Sequence, residues 1–268
     1  MNLEKKINPI LKWAGGKRQL IPEIIKILPE KFNNYVEPFI GGGALFFYLS
    51  NKKSIINDSN FELINLYKEI AKNPNEIIRE LKNYVNNEKF YYEIRKSKPS
   101  SNLKKACKTI YLNRTCFNGL YRVNKKGEFN VPYGKYKNVN FIDEPNLFAA
   151  SNVLKKTKIY NKDYKIILDK YCKKKDLVFL DPPYIPISKY SDFKRYTKEQ
   201  FYMEDHVDLA NYYKKLDKKG CYLILTNSNT NEISNLYKNF RIKVVKTKRN
   251  INSKGSKRTG EDVIITNF

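Results

Sequence analysis

Asp181-Pro182-Pro183-Tyr184 directly follows the apolar run Leu177-Val178-Phe179-Leu180, and each part of it has a chemical use. An amino group on an aromatic base is a poor nucleophile because its lone pair is delocalised into the ring. Hydrogen bonds from such an amine to the Asp181 carboxylate and the Pro182 carbonyl would favour a pyramidal nitrogen whose lone pair points at a sulfonium methyl. The prolines hold that carbonyl rigidly because their φ is fixed. Tyr184 offers a ring face on which an extruded base can stack. No covalent nucleophile is required. The purely structural account of the same residues is a strand ending in a Pro-Pro turn with a capping aspartate.

Two further segments carry ligand-binding chemistry. Val36-Glu37-Pro38-Phe39-Ile40-Gly41-Gly42-Gly43-Ala44 reads as a strand entering a glycine-rich turn that opens the helix Leu45 to Leu49. Glycines there let backbone approach a ligand closely, but the pattern is not the GxGxxG of dinucleotide enzymes. Asp58 follows the short apolar run Ser54-Ile55-Ile56, where an acid at the end of a second strand commonly accepts hydrogen bonds from ribose hydroxyls; a turn-capping aspartate is the bland alternative. Lys12-Trp13-Ala14-Gly15-Gly16-Lys17-Arg18 holds the only tryptophan. Cationic Lys17 near a helix start opposes the helix dipole, which a carboxylate from a ligand or from the protein would relieve.

The formal charge of +25, from 52 Lys and Arg against 27 Asp and Glu, suggests a polyanionic partner, nucleic acid first. Codon bias in an AT-rich genome would produce the same lysines, so the motifs must decide. Cys107, Cys116, Cys172 and Cys221 form no CxxC pair and the single histidine, His206, has no cysteine at ligand spacing, so no metal site is read. His206 is read as structural. No apolar run of signal-peptide or membrane-span length is present, and a cytoplasmic protein is expected.

These residues need a scaffold. Tyr35–Phe39, Ser54–Ile56 and Leu177–Leu180 read as buried parallel strands, and Cys221–Leu225 as another. Lys243–Lys246 with Val263–Ile265 reads as a hairpin across the basic loop Arg249–Gly260. Gln19–Leu28 carries an apolar stripe of Leu20, Ile21, Ile24, Ile25 and Leu28, which predicts a helix. Strands alternating with helices give an α/β domain as the expected class. From about Glu62 to Lys156 the chain turns Asn-, Lys- and Tyr-rich and mainly helical, with an irregular stretch from Asn113 to Lys137. It reads as an inserted module between a first part, 1–61, and a second, 157–268.

Taken in order, KWAGGKR, EPFIGGGALFF, NRTCFNGLYRVNKKGEFNVPYGKYK and DPPY closely resemble the Dam-like DNA adenine-N6 methyltransferases of the alpha group, particularly the Dpn-type modification enzymes, over essentially the whole chain. The resemblance implies a Rossmann-like S-adenosylmethionine-dependent methyltransferase fold, with a mixed, mostly parallel sheet, whose mainly helical insert, 62–156, is the DNA target-recognition domain. Trp13, Ala14 and Lys17 would border the methionine end of the cofactor; Glu37, Phe39 and Gly41 would form its turn. Asp58 would hold the ribose, and Asp163 and Tyr164 would lie by the adenine. Asp181 would serve cofactor and target base, with Pro182 and Tyr184 completing the catalytic site.

By the same resemblance Arg114, Phe117, Asn118, Arg122, Asn124, Asn130, Pro132, Lys135 and Lys137 would face duplex DNA. Arginine can read guanine bidentately, asparagine can read adenine, and Phe117 can wedge into an opened base stack. Such enzymes often carry Tyr before the Asn-Gly; Phe117 keeps the ring and loses a hydroxyl. Lys135 and Lys137 suit phosphate contacts equally well. The expectation is transfer to adenine within GATC by base flipping, with a cognate restriction endonuclease as a functional partner. A cytosine-N4 or RNA methyltransferase, and a non-catalytic DNA-binding protein of the same fold, stay open. Asp rather than Ser before Pro182 speaks for adenine, and the intact Asp181 and glycine turn speak against a decayed enzyme.

Overall fold

The computed structural model describes residues 7–13, 19–50, 53–124, 126–185, 201–248 and 259–268. Its frame is a seven-stranded sheet in the order β3-β2-β1-β4-β5-β7-β6. The strands are β1 (Tyr35–Glu37), β2 (Ser54–Asn57), β3 (Lys158–Tyr160), β4 (Leu177–Leu180), β5 (Tyr222–Ser228), β6 (Arg241–Lys248) and β7 (Thr259–Thr266). β3, β2, β1, β4 and β5 run parallel, and β7 lies antiparallel between β5 and β6. The three runs read as buried strands are buried on both faces, as a covered parallel sheet requires. The predicted hairpin forms, Val244 pairing Val263. On the edge strand β6, Arg241, Lys243 and Lys246 are exposed, which discourages pairing with another chain.

Ten helices among the described residues cover the sheet: α1 (Ile21–Ile25), α2 (Ala44–Leu49), α3 (Phe61–Lys72), α4 (Pro74–Leu81), α5 (Glu88–Lys96), α6 (Asn102–Thr115), α7 (Glu144–Leu154), α8 (Tyr164–Tyr171), α9 (Met203–Lys218) and α10 (Asn231–Leu236). One sheet face, including Tyr35, Ile56, Phe179, Ile224 and Ile264, shares a hydrophobic cluster with α1 to α7. The other, with Val36, Ile55, Val178, Leu223, Leu225 and Val263, packs on α8, α9 and α10. Helices on both faces of a mostly parallel sheet make the α/β architecture expected of the methyltransferase fold. The helices between 62 and 156 pack into the first cluster together with the sheet.

Local chemistry sets the helix limits. Asn60, Asn87, Ser101, Asp143, Asp163 and Thr230 each accept a backbone N–H as N-caps, an interaction typically near 1 kcal/mol. The stripe from Gln19 to Leu28 yields only five helical residues. Its N-cap, Leu20, makes no side-chain cap bond, and Leu28 precedes Pro29, which disfavours the α conformation there. Leu20 and Ile24 are nevertheless buried.

Strand order decides where a ligand can sit. β1 is flanked by β2 on one side and β4 on the other, so successive connections leave in opposite directions between β1 and β4. A crevice opens at the carboxyl ends of such strands.

Candidate active site

Three acids meet at that crevice. Glu37 ends β1, Asp58 follows β2 and Asp181 follows β4. Glu37 is buried, and its Oε2 accepts a 2.8 Å hydrogen bond from the Tyr35 hydroxyl. Burial holds the Glu37 carboxyl well above the usual range, and the nearby Asp181 and Asp58 push it the same way, against hydrogen bonds from Tyr35 and the Phe46 backbone. Asp58 accepts from the Gly41 and Asn60 amides, both at 3.0 Å. Burial raises it to about 6 despite those bonds. Asp181 accepts from the Thr226 hydroxyl at 2.7 Å. Acids crowded this way favour a ligand that brings positive charge or hydroxyl donors.

The glycine turn packs tightly on one side. Gly41 and Gly43 have φ of +46° and +66°, and a Cβ on Gly41 would lie 2.9 Å from Trp13 Nε1. A Cβ on Gly42 would lie 2.8 Å from Trp13 Cβ, so the tryptophan needs this turn free of side chains. The buried Tyr67 donates to the Gly41 carbonyl at 2.7 Å. On the other side Phe39 packs on Tyr164, with ring centroids 5.0 Å apart, and both approach Phe201. Asp163 caps α8 through the Lys165 amide at 2.8 Å. His206 is buried edge-on to Phe201 at 4.7 Å, and burial lowers it to about 4, which keeps the imidazole neutral. Pro182 is buried and Tyr184 half-buried beyond β4. Ala14 and Lys17 lie outside the described residues.

Beside this crevice, α6 runs into a 3₁₀ turn, Phe117–Gly119, and a short hairpin closed by the bridge Val123 to Phe129. The hairpin brings most of the expected DNA-facing residues together. Phe117, half exposed at 50%, and Asn118, at φ 54°, sit on the turn; Lys135 and Lys137 are exposed beyond it. The Pro132 carbonyl accepts from the Phe117 amide at 2.9 Å, and the Asn118 amide donates to the Tyr136 hydroxyl at 2.9 Å. Arg122 Nε donates to Asn130 Oδ1 at 2.8 Å. Asn124 spends its side-chain oxygen on the Lys126 and Glu128 amides of the turn. The Arg114 guanidinium donates to the Ile10 carbonyl at 2.9 and 2.5 Å.

The family of D12 class N6 adenine-specific DNA methyltransferases matches residues 13–251. That span holds the glycine turn, all three acids and the hairpin. The chain belongs to this family. It is 42% identical over 283 residues to the Type II methyltransferase M1.LlaDCHI of Lactococcus lactis subsp. cremoris, covering 100% of this chain and 99% of that one. It is 45% identical to the Type II methyltransferase M.MjaIII of Methanocaldococcus jannaschii, over 94% of this chain and 95% of the relative. To the DNA adenine methylase of Escherichia coli (strain K12) it is 32% identical, over 97% and 95%.

As a D12 class methyltransferase the protein acts on the exocyclic amine of adenine in DNA with a methyl donor, and its DPPY segment is tied down by residues the sequence reading missed. Asn227 Oδ1 accepts from the Ile185 amide at 3.2 Å, and Ser228 Oγ donates to the Ile185 carbonyl at 3.2 Å. With Thr226 on Asp181, the polar end of β5 grips the segment at both ends. The signal was Thr226-Asn227-Ser228 continuing an apolar strand. Asn57 likewise donates to the Pro38 and Lys162 carbonyls, both at 3.0 Å, and Asn113 exchanges hydrogen bonds with the Lys12 backbone at 2.7 and 2.8 Å. No helix of the described residues is long and apolar enough to cross a membrane.

Proposed function

We propose that this methyltransferase uses S-adenosylmethionine to methylate adenine N6 within GATC of duplex DNA, after extruding that adenine from the helix. The supporting observation is the convergence of Glu37, Asp58 and Asp181 on the β1–β4 crevice beside a hairpin carrying Arg122 and Phe117. The crevice fits such a donor: acids for its cationic and hydroxyl groups, a glycine turn closely covered by the Trp13 ring, and the Phe39–Tyr164 pair as an apolar wall. When bound, the donor supplies an electrophilic sulfonium methyl.

In this reading Trp13, Ala14 and Lys17 border the methionine end, Glu37, Phe39 and Gly41 form the turn, Asp58 holds the ribose, and Asp163 and Tyr164 flank the adenine. Asp181 and the Pro182 carbonyl accept hydrogen bonds from the target amine, and Tyr184 stacks on the base. The Asp181 charge offsets the positive charge that develops on N6 as the N–CH₃ bond forms and the S–CH₃ bond breaks. One N6 proton is released to solvent afterwards, the sulfonium having left as the neutral thioether S-adenosylhomocysteine. The protein works in the cytoplasm, and the Type II names of two relatives support a role beside a restriction endonuclease.

With 2-aminopurine replacing the GATC adenine, fluorescence should rise on binding to the wild-type protein, as an unstacked base would give. The probe outside GATC should stay dark. Equal responses at both places would remove the GATC assignment, and no response at either would remove flipping.

Asp58 gives a pH signature. Its raised pKa means the ligand-free fold holds the proton more tightly than the unfolded chain does. That contribution to stability is present below the usual carboxylate range and lost as pH rises through about 6. Ribose hydroxyls bind the ionised form more tightly, because a carboxylate accepts charge-assisted hydrogen bonds. Cofactor affinity should therefore weaken roughly tenfold between pH 7 and pH 5, and Asp58→Asn should abolish the step centred near 6. Calorimetric titrations across this range check it; a step that persists in the folded variant contradicts the ribose role.

A further inference from the structure

Tyr121 stands between the cofactor crevice and the DNA-facing hairpin. Only 7% exposed, it stacks on Trp13 with ring centroids 4.9 Å apart and planes at 27°, and it meets Phe129 edge-on at 5.6 Å. Trp13 in turn covers Gly41 and Gly42 of the cofactor turn. Burial pushes the Tyr121 phenol up to about 12, opposed by a hydrogen bond from the Asn60 side chain. Asn60 is the residue whose amide donates to Asp58 and whose side-chain oxygen caps α3. One residue further along, Arg122 is pinned to Asn130 across the hairpin. Lys12, immediately before Trp13, is bound through both its backbone groups to Asn113 of α6, and its side chain fills the space against Gly119 and lies 5.4 Å from the Tyr136 ring.

Both walls of the crevice thus reach the hairpin through one ring: the Trp13 side by stacking and the Asp58 side through Asn60. We propose that Tyr121 is a positioning residue that couples the two sites, so that filling the cofactor crevice fixes Trp13 and Asn60, fixes Tyr121 between them, and thereby orders Arg122 for its target. The inference rests on the placement of the cofactor beside Trp13 and Asp58. Ligands coupled through a shared ordered element bind with positive cooperativity, and the factor is the same whichever binds first. Tyr121 itself touches neither ligand in this account.

The test measures the affinity of a GATC duplex by fluorescence anisotropy, with and without saturating S-adenosylhomocysteine, and the affinity of S-adenosylhomocysteine with and without the duplex. Wild type should show a ratio of about fivefold or more, equal in the two directions. Tyr121→Leu, which keeps apolar bulk but loses both stack and hydroxyl, should bring the ratio close to one while the protein still binds each ligand alone. Tyr121→Phe, which keeps the ring and loses only the Asn60 bond, should give an intermediate ratio. A folded Tyr121→Leu with the wild-type ratio, or a wild-type ratio of one, overturns the proposal. Should Tyr121→Leu fail to fold, Tyr121→Phe carries the test, and an unchanged ratio overturns it. Binding of neither ligand by wild type defeats the proposed function itself and this inference with it.

Discussion

Replacing Asp181 by asparagine should lower methyl transfer by about 10²-fold or more while leaving duplex binding near the wild-type level. An amide oxygen can still accept a hydrogen bond from the target amine, so the ground-state contact survives in part. In the proposed mechanism the negative charge that offsets developing positive charge on N6 is lost, and that loss is felt only in the transition state. Thr226 can still donate to the substituted side chain as it does to Asp181, at 2.7 Å, so the DPPY segment should keep its place. Single-turnover rates at saturating cofactor and duplex, with a parallel binding titration, separate the two effects. Near-normal turnover in the folded variant would take Asp181 out of catalysis.

Arg122→Ala should weaken binding to a cognate duplex by roughly 1 to 3 kcal/mol, and far less to one lacking the guanine it reads. Asn130 accepts from Nε at 2.8 Å through its side chain and from one terminal nitrogen at 3.5 Å through its carbonyl, which sets the plane of the guanidinium and leaves the remaining terminal N–H groups for N7 and O6. Asn130→Ala should then produce a weaker copy of the same phenotype, because it removes the support and not the reader. Lys135→Ala and Lys137→Ala should behave differently. As exposed phosphate contacts, each would weaken cognate and noncognate binding about equally and reduce the salt slope by roughly one unit. Salt titrations against GATC and single-base variants give all four results. An Arg122→Ala variant that loses the same factor on every duplex would make Arg122 a backbone contact and move sequence readout elsewhere in the hairpin, with Asn118 the next candidate.

Legibility in the sequence followed the range of the interactions. β4 was readable residue for residue because an unbroken apolar run buried on both faces has little alternative to a central parallel strand. The same logic found β1 and β2 within a residue or two, and turn chemistry supplied the acids at their ends. β5 extends beyond its apolar run: Leu225 ends that run, but Thr226, Asn227 and Ser228 pair with β7, and their side chains hydrogen-bond with Asp181 and Ile185. Those partners lie more than forty positions away, beyond any local pattern. The grip of Asn113 on Lys12 spans 101 positions and was invisible for the same reason. Tyr121 was one tyrosine among 21, and only the fold shows it stacked on the single tryptophan. The residues expected to face DNA come from the resemblance; in the structure Arg114 bonds to Ile10 and Asn124 to its own turn, geometry that residue type alone does not disclose.

The central claim, methyl transfer to adenine N6 through Asp181, is tested most directly by the chemical identity of the product. The protein would be incubated with a GATC duplex and S-adenosylmethionine carrying a deuterated methyl group, and the DNA digested to nucleosides and analysed by mass spectrometry. The label should appear as N6-methyldeoxyadenosine in wild type and fall to the low level set by Asp181→Asn in the variant. Label on cytosine N4, or label on adenine that persists undiminished in the folded variant, would contradict the account.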